Sequence, residues 1–278
     1  MNHLSTRRAG ILRQMAACFW RDLLVARAYR SQFLFSVVNT LFGAASLYFL
    51  SQFVQSDKLA RALPAGTTYL GFALIGIAVF DYMGAAINAF DSSLGEARLN
   101  RTLEALLVTE ASLPVILLGS AIYPFVFTSV RTAVYLAWGV LLFHLQLGSA
   151  NWPGAILILS FSILAFIGLG ILSTSYQMLF KRGNPAKWIF LGLSGLLGGM
   201  MYPVRVLPPL LQDLARVIPL TYSLEGMRAA LLDGASLARL GPQVAALAIF
   251  AAVLLPVSFA VFAWALRRTK VTGTLTHF

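Results

Sequence analysis

Apolar positions along the chain gather into six long runs, at roughly residues 32–54, 68–90, 113–145, 153–179, 186–204 and 244–266. Polar residues are sparse inside each run. The ~10-residue alternating segments of a membrane barrel do not occur. A helix rises 1.5 Å per residue, so about 20 residues cross the ~30 Å hydrocarbon core of a bilayer. Every run reaches that length, the fifth only just. The pattern predicts an all-α integral membrane protein with six transmembrane helices.

Three segments between the runs have patterns of their own. In residues 9–30, Leu12, Met15, Phe19 and Leu23 recur at helical steps, with Arg13, Arg21 and Arg27 largely off that stripe. This predicts an N-terminal amphipathic helix in the membrane interface, its arginines near anionic headgroups. A helix packed on the protein itself is the alternative. Residues 1–31 then form an interfacial unit and 32–278 the transmembrane domain.

Residues 95–109 read GEARLNRTLEALLVT. Wound as a helix, they place Leu99, Leu103, Leu106 and Leu107 on one face and Arg98, Asn100, Arg101 and Glu104 on the other. Glu96 sits in the first turn, where a carboxylate suits the helix dipole. Arg101 and Glu104 are spaced to pair. The segment is either a solvated connecting helix or a short strut that docks on a cytosolic partner.

Residues 205–243 carry two short helical patterns, too short to span, which predict short outer helices before the sixth span, at or dipping into the outer face and capping its mouth. LPPLLQDLARVIP opens on Pro208 and Pro209, good first-turn residues, and ends at Pro219. TYSLEGMRAALLDG follows, with Thr221 or Ser223 as the expected N-cap and Gly234 as the stop.

Composition agrees with the membrane reading. Apolar residues make up 59% of the 278 and charged residues 11%, far from the values of a soluble domain. A net charge of +11 would suggest nucleic acid in a soluble protein; here it reads as topology, and no nucleic-acid partner is expected. With the N-terminus inside, 14 Lys and Arg fall on the cytoplasmic side and six on the other, while Arg131 lies in a span. That bias predicts a multi-pass protein of the inner (cytoplasmic) membrane with both termini cytoplasmic. Arg13 and Arg21 interrupt any apolar run near the start, and no signal peptide is read there. The single cysteine, Cys18, excludes an intrachain disulfide.

The chain resembles the membrane subunits of type-2 (ABC-2) ATP-binding-cassette exporters. The likeness covers most of its length. It rests on the interfacial helix, the six runs, and Glu96, Thr102, Leu103, Glu104, Leu106, Leu107 and Thr109 after the second run. Before the sixth run it rests on Pro203, Leu207, Pro208, Leu220, Thr221, Tyr222, Arg228 and Gly234. The resemblance implies that 95–109 is a coupling helix seated in a groove of an ATPase subunit, with Glu96, Arg98, Leu99, Arg101, Leu103 and Glu104 at the contact. It implies two ATPase copies and a second permease subunit, identical or a close paralogue. No G-x-x-x-x-G-K-[ST] occurs, so ATP and Mg are expected on the partner, with no catalytic residue, cofactor or metal on this chain. The expected cargo is an amphipathic or hydrophobic small molecule, such as a drug, antibiotic or lipid. A lipid-linked polysaccharide is the runner-up.

Two other classes compete. Gly192-Leu193-Ser194-Gly195 is similar to the serine motif of rhomboid proteases. That chemistry needs a histidine base, and none of His3, His144 and His277 lies in the sixth run. Gly195 and Gly199 read more simply as a small-xxx-small helix contact. An ion-coupled secondary transporter would need intramembrane titratable groups, and Asp81, Asp91 and Arg131 are the candidates. Asp81 and Arg131 meet at similar depth if the third span enters the hydrocarbon near Ser120. If it starts at Leu113, Arg131 must snorkel outward; contact with cargo is the third possibility. Tyr222 and Arg228 are the candidates for gating or structure at the outer mouth.

Overall fold

A computed structural model describes residues 20, 23, 24, 30–53, 67–99, 113–145, 147, 150–180 and 184–271. All regular elements among these residues are helical: α1 (Arg30–Phe53), α2 (Tyr69–Leu99), α3 (Leu113–Leu141), α4 (Trp152–Phe180), α5 (Pro185–Leu197), a 3-10 turn (Val204–Val206), α6 (Pro209–Ala215), α7 (Pro219–Leu231) and α8 (Leu237–Val271). Four are long and apolar enough to cross a bilayer: α2 over Tyr69–Ser92, α3 over Ala121–Leu141, α4 throughout and α8 over Leu237–Thr269. Most of the interfacial segment, with Arg13, Arg21 and Arg27, lies outside the described residues, as do Arg101, Leu103 and Glu104.

Helices α2 and α4 form the centre. Phe90, Ile75, Met83, Ile87, Ile158 and Phe166 are buried at or near zero exposure between them and their neighbours. In a bilayer the lipid tails are as apolar as leucine, so close backbone packing takes over from the hydrophobic effect. Gly170 of α4 provides it: a Cβ there would lie 2.6 Å from the Ala86 carbonyl oxygen of α2. Gly168 does the same toward α8, 2.7 Å from the Leu254 Cβ. Helix α8 lies along α4, while α3 packs on α2 and α1.

The first run forms α1, 24 residues long, about 36 Å at helical rise. The fifth run departs from the expected 186–204 span. Its helix, α5, has 13 residues and reaches only about 20 Å. It stops because Gly198 closes the last turn and Gly199 adopts φ +82, a left-handed conformation that costs glycine little. Gly199 is thus a chain reversal and not half of a small-xxx-small contact. Gly195 does approach a neighbour: a Cβ there would lie 3.3 Å from the Phe80 ring.

Helices α6 and α7 follow one another across a short bend. Pro209 and Pro219 each begin a helix, where a missing N–H is harmless. The expected Thr221 or Ser223 cap is absent because Pro219 starts α7 earlier, with Ile218 at the cap. The Thr221 hydroxyl instead donates to the Ala215 carbonyl at 2.8 Å, tying α7 to the end of α6. Helix α7 is not a surface cap: Leu220, Leu224 and Ala230 have no exposure, and it packs on α4, α8 and α2. It ends just before Gly234, whose φ of +60 turns the chain toward α8.

Candidate functional site

Three polar constructions interrupt this apolar bundle. The first lies midway along α2. Arg131 Nη2 on α3 sits 2.8 Å from Asp81 Oδ2. One residue on, the Tyr82 hydroxyl donates to Ser129 Oγ at 2.9 Å. The two contacts bind α2 to α3 at a depth where an unpaired charge costs about 2.5–3.5 kcal/mol on insertion scales. The ion pair is the first of the three arrangements that the depth argument left open. Arg131 Nε, Thr132 Oγ1 and Trp138 Nε1 are buried without a hydrogen-bond partner among the described residues.

Beside this pair, α3 and α4 diverge across α2. The gap leaves a cavity of about 110 Å³ between Ile75, Tyr82, Thr132, Leu136, Ala155 and Met227, with Trp152 and Ile156 at its rim. Trp152 and Ile156 are exposed, so the cavity opens on the side of the bundle.

The second construction is Arg228 of α7. Nε and Nη2 donate to the Phe72 carbonyl at 3.1 and 3.0 Å. Nη1 donates to Gly199 at 2.9 Å, and Nη2 also reaches Met200 at 2.8 Å. The guanidinium lies 3.3 Å from the centre of the Phe72 ring, a cation–π contact. Burial pushes its pKa down to about 9, opposed by Glu225 and Tyr69, so it stays cationic at neutral pH. Its fork satisfies the Gly199 and Met200 carbonyls in the turn that follows α5. Tyr222, the other residue expected at the outer mouth, donates to the Arg216 carbonyl at 3.0 Å and packs its ring on Phe250.

The third construction lies at the far end of α2. Asn184 Nδ2 donates to both carboxylate oxygens of Asp91, at 2.8 and 2.9 Å, and to Ser173 Oγ at 2.8 Å. Its Oδ1 accepts from the Lys187 N–H, capping α5. Thr174 also reaches Asp91, at 3.3 Å. The sequence flagged Asp91 but not Asn184. Asn184-Pro185 carries a cap signature, though nothing in it points to Asp91.

Helix α2 does not stop at the apolar boundary near Ser92 but continues to Leu99. Glu96, Arg98 and Leu99 therefore extend the second span without a break in the backbone. Residues 100–109, the rest of the expected coupling helix, lie outside the described residues. Ser194, the protease candidate, is buried in α5. Among the described residues no histidine is bonded to it; its carbonyl accepts from Gly198. No group of three or more metal-binding side chains occurs among the described residues.

Long apolar helices, a charge pair within the bundle and a short buried helix among the spans define a multi-pass membrane protein. The chain belongs to the family described as ABC-2 type transporter, whose profile matches residues 13–232. Membership makes it the membrane component of such a transporter and implies an ATP-binding-cassette ATPase as partner. The chain is similar to Nodulation protein J of Sinorhizobium fredii (strain NBRC 101917 / NGR234), at 27% identity over 192 residues that cover 67% of this chain and 70% of the relative. It is also similar to Nodulation protein J of Rhizobium meliloti (strain 1021), at 24% identity, covering 68% and 71%.

Proposed function

We propose that this chain is the permease subunit of an ATP-driven exporter in the inner membrane. It moves an amphipathic or hydrophobic small molecule, such as a drug, antibiotic or lipid, outward by alternating access. Two copies of a separate ATPase subunit hold ATP and Mg and hydrolyse the nucleotide. A second permease subunit, identical or a close paralogue, completes the complex.

The observation that carries this reading is the family match over residues 13–232, which contains the whole 95–109 segment. The unbroken extension of α2 to Leu99 supports it, because motion applied to that end tilts a single rigid span. In this proposal Glu96, Arg98, Leu99, Arg101, Leu103 and Glu104 meet the ATPase. Arg13, Arg21 and Arg27 hold the N-terminal helix at the cytoplasmic face. Tyr222 and Arg228 stand at the outer mouth, where Arg228 gives the gate its fixed frame.

The wholly apolar cavity beside Tyr82 supports a cargo with a hydrocarbon portion. It leaves the head group unspecified, so a lipid-linked polysaccharide is the second reading. An ion-coupled transporter is the rival from another class, although Asp81 and Arg131 already satisfy each other in a pair.

The test is reconstitution with the ATPase in vesicles. Simple amphiphiles that stimulate ATP hydrolysis and accumulate inside inverted vesicles support the main reading. Stimulation only by saccharide-bearing lipids moves the assignment to the second. Export that survives ATP depletion and stops with an ionophore assigns the rival. Charge reversal at Arg101 or Glu104 is expected to uncouple hydrolysis from export without loss of expression.

A further inference from the structure

Helices α2 and α5 are tied to each other at both ends. At one end Asn184 bridges the cap of α5 to the Asp91 carboxylate and to Ser173 of α4. At the other, Arg228 joins the Phe72 carbonyl of α2 to the Gly199 and Met200 carbonyls that follow α5. Phe72 and Asp91 are separated by about 28 Å of helix, nearly the thickness of the hydrocarbon. Between the ties, Gly195 lies against Phe80 and Gly76 against the Met200 carbonyl, with no room for a side chain at Gly76. Neither helix can tilt or slide alone without breaking a charged hydrogen bond at one end or the other.

We propose that Asp91 and Asn184 are positioning residues that make α2 and α5 one lever, carrying movement from the 95–109 segment across the membrane to the turn at 198–207. The proposal rests on the exporter reading. Asp91 lies one residue before the end of the apolar stretch of α2, directly ahead of the segment assigned to the ATPase contact. The bond is selective in chemistry: a carboxylate facing an amide attracts, whereas two carboxylates repel. Asn184→Asp therefore opens the tie, and Asp91→Asn with Asn184→Asp exchanges the partners and closes it again.

The experiment uses the complex with its ATPase and spin labels on cysteines, in a Cys18→Ser background. A first pair, Ser92→Cys and Trp188→Cys, reports the tie itself in the permease alone; both positions are exposed. The expected distance distribution is narrow in the parent, broad in Asn184→Asp and narrow again in the exchanged double variant. A second pair, Val206→Cys and Leu237→Cys, reports the far turn when a non-hydrolysable ATP analogue is added. The parent is expected to shift, Asn184→Asp to lose the shift, and the double variant to recover it. A shift kept intact in Asn184→Asp overturns the lever while leaving the exporter reading standing. A parent complex with no nucleotide-dependent shift overturns both. A narrow first distribution in Asn184→Asp shows that the tie does not hold the helices and also overturns the proposal.

Discussion

The Arg228 guanidinium donates twice to the Phe72 carbonyl while stacking over the ring of the same residue. One side chain of α7 thereby grips both the backbone and the side chain of a single position on α2. Because it also holds Gly199 and Met200, its removal takes the donor from those two carbonyls, while Phe72, inside α2, keeps its helical one. Each such group costs about 1–3 kcal/mol. Arg228→Met is expected to lower stability by roughly 3 kcal/mol or more, and Arg228→Lys to recover less than half, because an ammonium lacks the planar fork. Thermal unfolding of the purified protein in detergent checks both; a Lys variant as stable as the parent would show that charge alone suffices.

Gly76 and Gly192 give opposite expectations for the same substitution. A Cβ on Gly76 would stand 2.2 Å from the Met200 carbonyl oxygen and 2.9 Å from Arg228 Nη2. Gly76→Ala therefore forces α2 away from the turn after α5, with an expected loss of about 2 kcal/mol or more. Nothing lies within 4 Å of a Cβ at Gly192, which sits in a helix, so Gly192→Ala is expected to be neutral or to stabilise by up to about 1 kcal/mol. Denaturation midpoints of the two variants, measured side by side, decide it.

For the Asp81–Arg131 pair, each single neutralisation strands the opposite charge inside the bundle. Asp81→Asn and Arg131→Gln are each expected to destabilise, and the double variant by less than their sum. A coupling of about 0.5–3 kcal/mol is the range for contacting groups. Strict additivity in the cycle would contradict the 2.8 Å geometry.

The Thr221 bond to the Ala215 carbonyl spans the bend between α6 and α7. Thr221→Ser keeps the hydroxyl and is expected to hold stability within about 0.5 kcal/mol. Thr221→Val keeps the shape but not the donor, and is expected to cost about 1–2 kcal/mol. A loss in Ser with none in Val would trace the effect to the methyl group's packing.

How far the sequence led depends on the kind of interaction. Runs 68–90, 153–179 and 244–266 correspond to α2, α4 and α8, because backbone bonding in a bilayer leaves little alternative to helix. The ends were less legible. Helix α2 continues seven residues beyond Ser92, where hydropathy no longer speaks but helix formers persist. Helix α5 stops early because two adjacent glycines outweigh an apolar stretch. Asp81 and Arg131 stood out as rare charges in apolar surroundings, and depth allowed their pairing without deciding it, because the start of the third span was open. Arg228 stood out by its place in the family-like motif, yet its role did not, because its acceptors are backbone carbonyls that every residue carries. Asn184 had no signal for its partner: polar contacts 93 positions apart leave no periodic trace.

Helix α7 also bears on how the chain is assembled. It carries Glu225 and Arg228, and it is too short to cross a bilayer. A membrane insertion machinery that recognises apolar length has no reason to place it. The helix packs on α4, α8 and α2, and its C-terminal end is held by Asn151, which donates its backbone N–H to the Ala230 carbonyl and its side-chain amide to the Ala235 carbonyl. Helix α7 therefore owes its place to the assembled helices it packs on and not to its own apolar length.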